Sequence, residues 1–180
     1  LHDALPILIH NFENDFTGKH GTNGNYEGGF TENSDQFRIV DNPDKDGINT
    51  SDKVARFNRN QKGHWWAYTW FEFDEFEVLA PPKYLHIMVY KPVISPVCIQ
   101  VKGKVNSRSV NNTGELINNE QTDVYQWQDL VFEIETPGTF GFIEIKPDFE
   151  RIDPSQRLNN TIQIYFDEIV INNSPFPRRN

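Results

Sequence analysis

The chain has 180 residues, 17 basic against 26 acidic side chains, and a formal net charge of −9 at neutral pH. Its length fits one domain with a substantial core. A mean hydropathy of −0.64 leaves no apolar run near the ~20 residues of a membrane span, and the acidity sets the chain against a phosphate backbone, so neither membrane insertion nor nucleic acid is expected.

Taken in chain order, the opening Leu1–Ile7 is unlike the remainder of the chain. Residues 1–10 read as a non-native or disordered leader ahead of a single domain over 11–180. A first residue that is not methionine is what a fragment or processed product would show. Period-two apolar segments then recur to the end of the chain, between clusters of Gly, Pro, Asn and Asp. They predict strands near Ile9–Glu13, Gln36–Val40, Lys53–Asn58, Trp65–Phe73, Tyr84–Tyr90, Val97–Lys102, Tyr125–Ile134, Phe140–Pro147 and Thr161–Asn172. No segment keeps a helical stripe over three turns, so the expected fold class is all-β, a two-sheet antiparallel sandwich. Thr17–Gly29, with five glycines, and the polar stretch Asn106–Asp123 are expected to be loops or a hairpin, and Asn42–Gly47 a turn.

The run Gly63–Phe73 holds three of the four tryptophans. As a strand it would put Trp66, Tyr68 and Trp70 on one face and Trp65, Ala67, Thr69 and Phe71 on the other. A two-layer protein hides one such face in its core. The other is either covered or presented to a ligand, and flat aromatic surface beside polar groups suits a sugar ring.

Other chemistries find little support. The lone Cys98 sits in an apolar strand and reads as a small buried side chain. The five histidines lack zinc-pair spacing, and no phosphate-binding glycine loop is present. His86 reads as a hydrogen-bonded sheet histidine or a ligand donor. Glu72, Asp74 and Glu77 have the Glu-X-Asp-X-X-Glu spacing of laminarinase-like glycosidases, whose two carboxylates must stand about 5–5.5 Å apart for retention. Glu75 breaks the alternation that such a site needs. Asn42-X-Asp44-X-Asp46-Gly47 imitates half an EF-hand loop but has Lys53 where the bidentate glutamate belongs. Glu13 near the first strand and Asp167 in the last are candidate hard-oxygen ligands for calcium.

Asn11-Phe12-Glu13, Gly47–Ala55, Trp65-Trp66, Tyr84–Pro92, Trp127–Phe132 and Tyr165–Ile169 occur in an order that resembles the galactose-binding-like jelly-roll modules of Bacteroidetes. These are similar to the carbohydrate-binding modules that accompany glycoside hydrolases. The resemblance spans about Asn11–Ile171. It implies a secreted, periplasmic or cell-surface β-sandwich, a structural calcium at the positions of Glu13 and Asp167, and polysaccharide or oligosaccharide contact through aromatics. The positions offered are Trp65, Trp66 and Trp70, then Tyr90 and Trp127, with His64 beside them as a hydrogen-bonding group. It also implies catalytic or anchoring domains linked upstream. Two alternatives stand beside this reading: a purely structural or protein-interaction sandwich, and a small glycosidase built on Glu72, Asp74 and Glu77.

Overall fold

In a computed structural model, which describes residues 6–25, 30–104 and 111–178, the chain forms two antiparallel sheets packed face to face. The strands are β1 (Ile7–His10), β2 (His20–Asn23), β3 (Thr31–Glu32), β4 (Phe37–Asp41), β5 (Lys53–Arg59), β6 (Tyr68–Val78), β7 (Lys83–Tyr90), β8 (Val97–Lys102), β9 (Leu116–Asn118), β10 (Gln128–Ile134), β11 (Gly138–Lys146) and β12 (Ile162–Asn172). One sheet runs β10-β7-β12-β5-β4 with β1 on β12; the other runs β3-β2-β6-β11-β8-β9. The only helical turn among the described residues is a 3-10 turn at Pro154–Gln156. No helix there is long and apolar enough to cross a membrane.

Alternation decides the layers. Phe71, Phe73 and Phe76 of β6 and Phe140, Ile143 and Ile145 of β11 point inward. There they meet Phe37, Phe57, Leu85, Ile87, Phe132 and Phe166 from the other sheet in one continuous core. The expected all-β sandwich is the observed one.

Three strands lie where the sequence suggested loops or a leader. The Gly-rich stretch after Thr17 contains β2, which pairs with both β3 and β6. Gly21 permits this, because a Cβ there would lie 1.9 Å from the Thr31 carbonyl oxygen. The rest of that expected loop, residues 26–29, lies outside the described residues. The polar stretch after Asn106 contributes β9, paired with β8; residues 105–110 likewise lie outside the described residues.

Ile7–His10, expected to belong to the leader, form β1. They pair with Ile169–Ile171 on the edge of β12 whose first half pairs with β5. Ile9 packs on the core, and the His10 ring stacks on Phe12 at 4.4 Å. The strand expected near Ile9–Glu13 therefore starts at Ile7, inside the stretch expected to be a leader. Deleting residues 1–10 should remove about 2 kcal/mol, from one strand edge and the Ile9 contact, and lower the melting temperature by roughly 4–8 °C. An unchanged calorimetric transition would restore the leader reading.

Candidate functional site

The two outer faces differ. On the first sheet, Val54, Met88 and Trp127 form a second apolar cluster with Val40, Ile48, Tyr90 and Tyr165 around it. The loop after β4 closes over this cluster. Asn42 and Asp44 each turn the chain by accepting an amide two residues on, 2.9 and 3.0 Å. The Trp127 indole donates to the Asp44 carbonyl at 2.8 Å. Trp127 is 6% exposed, so it is mainly a packing pillar that holds the loop, and it lines a cleft of about 580 Å³ with Asp44, Asp46, Ile48 and Asp129.

His86 is also structural. Its Nδ1 lies 2.9 Å from Asp129, and its Nε2 3.1 Å from Asn172 Oδ1 and 2.9 Å from the Ser174 carbonyl. Arg178 closes the group with Nη2 bonds of 2.8 Å to Asp129 and to the Glu168 carbonyl. Cys98 is wholly buried, and burial pushes its thiol up to about 12.

The outer face of the second sheet carries Tyr68, Trp70, Glu72, Phe142 and Glu144, with Asn23 on β2 and Gln100 and Lys102 on β8 in matching rows. Polar pairs organise it. Lys102 bonds Glu144 at 2.6 Å, Lys146 bonds Gln100 at 3.1 Å and Glu115 at 2.8 Å, and Asn23 donates to the Tyr68 hydroxyl at 2.9 Å. Trp70 belongs to this face but is only 1% exposed. Its ring is sandwiched between Phe30, centroids 4.6 Å apart, and Phe142 at 5.4 Å. As it stands, Trp70 offers no free ring. Phe30 is 52% exposed and takes the outer position that alternation assigned to a ligand. No sequence pattern pairs these two residues, forty positions apart.

Trp65 and Trp66 are not in the strand. They sit in the turn just before β6, closed by Ala67 N–H donating to the His64 carbonyl at 3.0 Å. Both are half-buried and His64 is exposed. The His64 ring lies parallel to Trp66, 4° between planes and 4.7 Å between centroids, and Trp66 is 6.5 Å from Tyr68. Trp65 leans on Phe149 at 5.4 Å, with the Arg151 guanidinium 5.7 Å from its ring centroid. Gly24, at φ +67°, passes beneath Trp66; a Cβ there would fall 2.2 Å from the indole, so glycine is required by both backbone and space. Together His64, Trp65, Trp66 and Tyr68 make an aromatic ledge at one end of a sheet face on which Trp70, Phe142, Glu144 and Lys146 are buried. Tyr90 lies apart from it, on the opposite sheet.

Beneath the ledge is a buried charge cluster. Arg59, at the end of β5, is wholly buried. It donates to the Asn60 carbonyl at 3.0 Å and the His64 carbonyl at 2.7 Å, and its Nε lies 3.4 Å from Asp148. Asp148 also takes a two-pronged pair from Arg157, 2.8 and 2.6 Å. Burial lowers Arg59 to about 10, so it remains charged at neutral pH. Lys91 beside this cluster donates to the carbonyls of Ser95 and Pro147 at 2.6 and 2.8 Å. Burial pulls its ammonium down to about 7, against the raising influence of Asp148. Arg59 thus holds the turn that carries His64, Trp65 and Trp66 through that turn's own carbonyl.

The three carboxylates weighed for glycoside hydrolysis do not converge. Glu72 is half-buried beside Gly18, while Asp74 and Glu77 are exposed. Between Phe140 and Phe142 one residue of β11 stands opposite three of β6, so β6 bulges at residues 73–75.

Compared with known proteins, the chain matches no family model and no curated sequence. Its fold does match solved structures. The family 30 carbohydrate-binding module of the cellulosomal cellulase Cel9D-Cel44B of Clostridium thermocellum superposes with TM-score 0.58 at 12% identity, over 96% of this chain and all of that one (100%). The CBM22-1–GH10 modules of xylanase Xyn10B from the same organism, complexed with xylohexaose, give 0.54 at 11% identity, over 94% of this chain and 28% of that one. The K1 cleaved adhesin domain of Lys-gingipain from Porphyromonas gingivalis gives 0.54 at 10%, over 95% and 99%. The shared property is the β-sandwich.

Replacing Asp148 by Asn would leave Arg59 buried without its counter-charge. The expected cost in urea unfolding is about 3–5 kcal/mol, the usual penalty for breaking a buried pair. A loss under about 1 kcal/mol would show that the cluster does not hold this end of the sandwich.

Proposed function

We propose that the chain is a non-catalytic glycan-binding module of an exported protein, which holds a polysaccharide or oligosaccharide on the outer face of the β3-β2-β6-β11-β8-β9 sheet. The observation that carries this reading is the ledge of His64, Trp65, Trp66 and Tyr68, which gathers aromatic rings at one end of a sheet face carrying amide and charged side chains. A pyranose presents C–H groups on its flat side and hydroxyls around its edge. The His64–Trp66 stack, with the exposed His64 ring outermost, and Tyr68 match the former; Asn23, Gln100 and Lys102, all half-buried, match the latter. Carbohydrate-binding modules of the same architecture, some joined to glycoside hydrolases, support the reading and suggest catalytic or anchoring domains elsewhere in the parent protein. The scattering of Glu72, Asp74 and Glu77 weighs against the glycosidase alternative.

Stacking contributes about 0.5–1.5 kcal/mol per ring beyond burial. Trp66→Ala should therefore weaken binding of xylohexaose or cellohexaose roughly two- to tenfold in calorimetric titration. Because Trp66 is half-buried at the surface, melting should change little. Unchanged affinity for a saccharide that the unaltered chain binds would refute the ledge; a large fall in melting with no saccharide bound by either would favour a structural sandwich.

The same reading includes a structural calcium held by Asp167 and Glu13. Asp167 suits a cation. Its side chain is wholly buried, one oxygen accepts the Glu168 amide at 2.8 Å, and the other makes no well-formed hydrogen bond. Burial pushes its carboxyl up to about 6. Glu13 is exposed and accepts the Asp52 amide at 2.8 Å, while Asn49 and Ser51 of that loop bear on the Asp167 carboxyl. Among the described residues no three acidic, His or Cys side chains gather at one point, so backbone carbonyls would complete the shell. Because the folded pKa lies above the unfolded one, this group's contribution to stability is present below about pH 4 and lost as pH rises through about 6. At pH 7, calcium should raise the melting temperature of the unaltered chain and not that of Asp167→Asn. No response of the unaltered chain to millimolar calcium would remove the ion from the account.

A further inference from the structure

A groove of about 340 Å³ opens on the opposite sheet, at the same end of the sandwich as the ledge, lined by Tyr90, Tyr125 and Tyr165 with Pro92, Asn160 and Gln163 among its neighbours. Tyr125 and Tyr165 both meet Tyr90 edge to face, at 6.2 and 5.8 Å. Two features separate this group from ordinary packing. Tyr125 is 59% exposed, so its ring contributes little to any core. It also sits at φ +56°, a left-handed conformation that is a genuine outlier for a bulky residue and that persists only where surroundings impose it. The surroundings here are the Tyr125 amide donating to the Lys91 carbonyl at 2.8 Å, on a residue whose own side chain is tied into the buried charge cluster. The fold therefore holds a tyrosine in a strained backbone so that its ring stands in solvent beside two others.

We infer that this tyrosine groove is a second saccharide site, taking one or two pyranose units, on the face opposite the ledge; the inference rests on the glycan-binding reading above. The volume is at the small end of the range for ligand sites, about 300–1,000 Å³, which suits a short stretch or a chain end and not an extended polymer. Its rim is polar in the manner a sugar needs. The Tyr165 hydroxyl donates to Gln163 Oε1 at 2.7 Å, which fixes that amide beside the ring and leaves Gln163 Nε2 as a donor. Asn160 and Thr161 add an amide and a hydroxyl. A proline-rich peptide is the competing occupant of a tyrosine-lined groove, but it would use rings and few rim donors. The abundance of amide and hydroxyl groups favours the sugar.

The test is an amide-shift NMR titration of the full chain with xylohexaose, cellohexaose and the corresponding monosaccharides, and separately with decaproline. The expected result is two groups of shifts, one around Trp66 and Tyr68 and one around Tyr125, Gln163 and Asn160. Tyr125→Ala should weaken the second group roughly tenfold and leave the first unchanged, its undisturbed spectrum elsewhere showing that it folds. Shifts confined to the ledge would overturn the groove while keeping the main reading. Shifts confined to the groove would keep the groove and overturn the ledge. Silence from both faces, groove shifts that survive Tyr125→Ala, or a groove answering decaproline and no saccharide would each overturn the inference.

Discussion

A buried carboxylate governs one end of this molecule. Asp148 neutralises Arg59 and Arg157, and Lys91 spans the carbonyls of Ser95 and Pro147 next to them. These residues come from the end of β5, the β7–β8 connection and the long β11–β12 connection. A strand end and two connections, one of them holding the 3-10 turn, are thereby tied to one point. Ionic clusters out of water seldom add much net stability, because desolvation offsets attraction. What this one supplies is placement: the turn carrying His64, Trp65 and Trp66 hangs from Arg59, and Tyr125 hangs from the Lys91 backbone. Aromatic side chains on freely moving loops would have to be ordered by a ligand at the expense of its affinity; here the fold orders them beforehand.

The two sheets share one core and have opposite exteriors. Trp127, the Asn42–Lys53 loop and the Asp129–Arg178 pairing cover much of the first sheet. The second carries polar rows in which Asn23, Gln100 and Lys102 are half-buried and Glu144 and Lys146 are buried. Its charged groups are matched locally, Lys102 with Glu144 and Lys146 with Glu115, so the face is hydrogen-bonding and not strongly charged. That chemistry suits the neutral, hydroxyl-rich partner proposed above.

Much of the sandwich was legible because half-buried strands must alternate. β5, β7, β8 and β12 fall within a residue or two of where apolar period-two runs placed them. β2 and β9 were hidden because glycine and asparagine are prominent in and around them and their pairing is fixed by neighbours, not by their own pattern. The tryptophan run was half read. Tyr68 and Trp70 do share the outer face, but Trp65 and Trp66 precede the strand, since the Arg59–His64 contact ends the extended chain there. Trp70 and Trp127 could not be assigned from sequence, because what covers them, Phe30 in one case and Asp44 in the other, is remote in the chain. The link between Arg59 and Asp148, 89 positions apart, left no trace either; a lysine, two arginines and an aspartate scattered along the chain look like surface residues until packing brings them together.

The central claim is that a saccharide rests against Trp66 and Tyr68. A crystal structure of the chain grown with a hexasaccharide it binds tests this directly. The predicted result is a pyranose ring parallel to Tyr68 or laid on the His64–Trp66 stack, its hydroxyls reaching Asn23 and the neighbouring polar groups. A saccharide ordered elsewhere on the protein, with the ledge bare at saturating concentration, would contradict it.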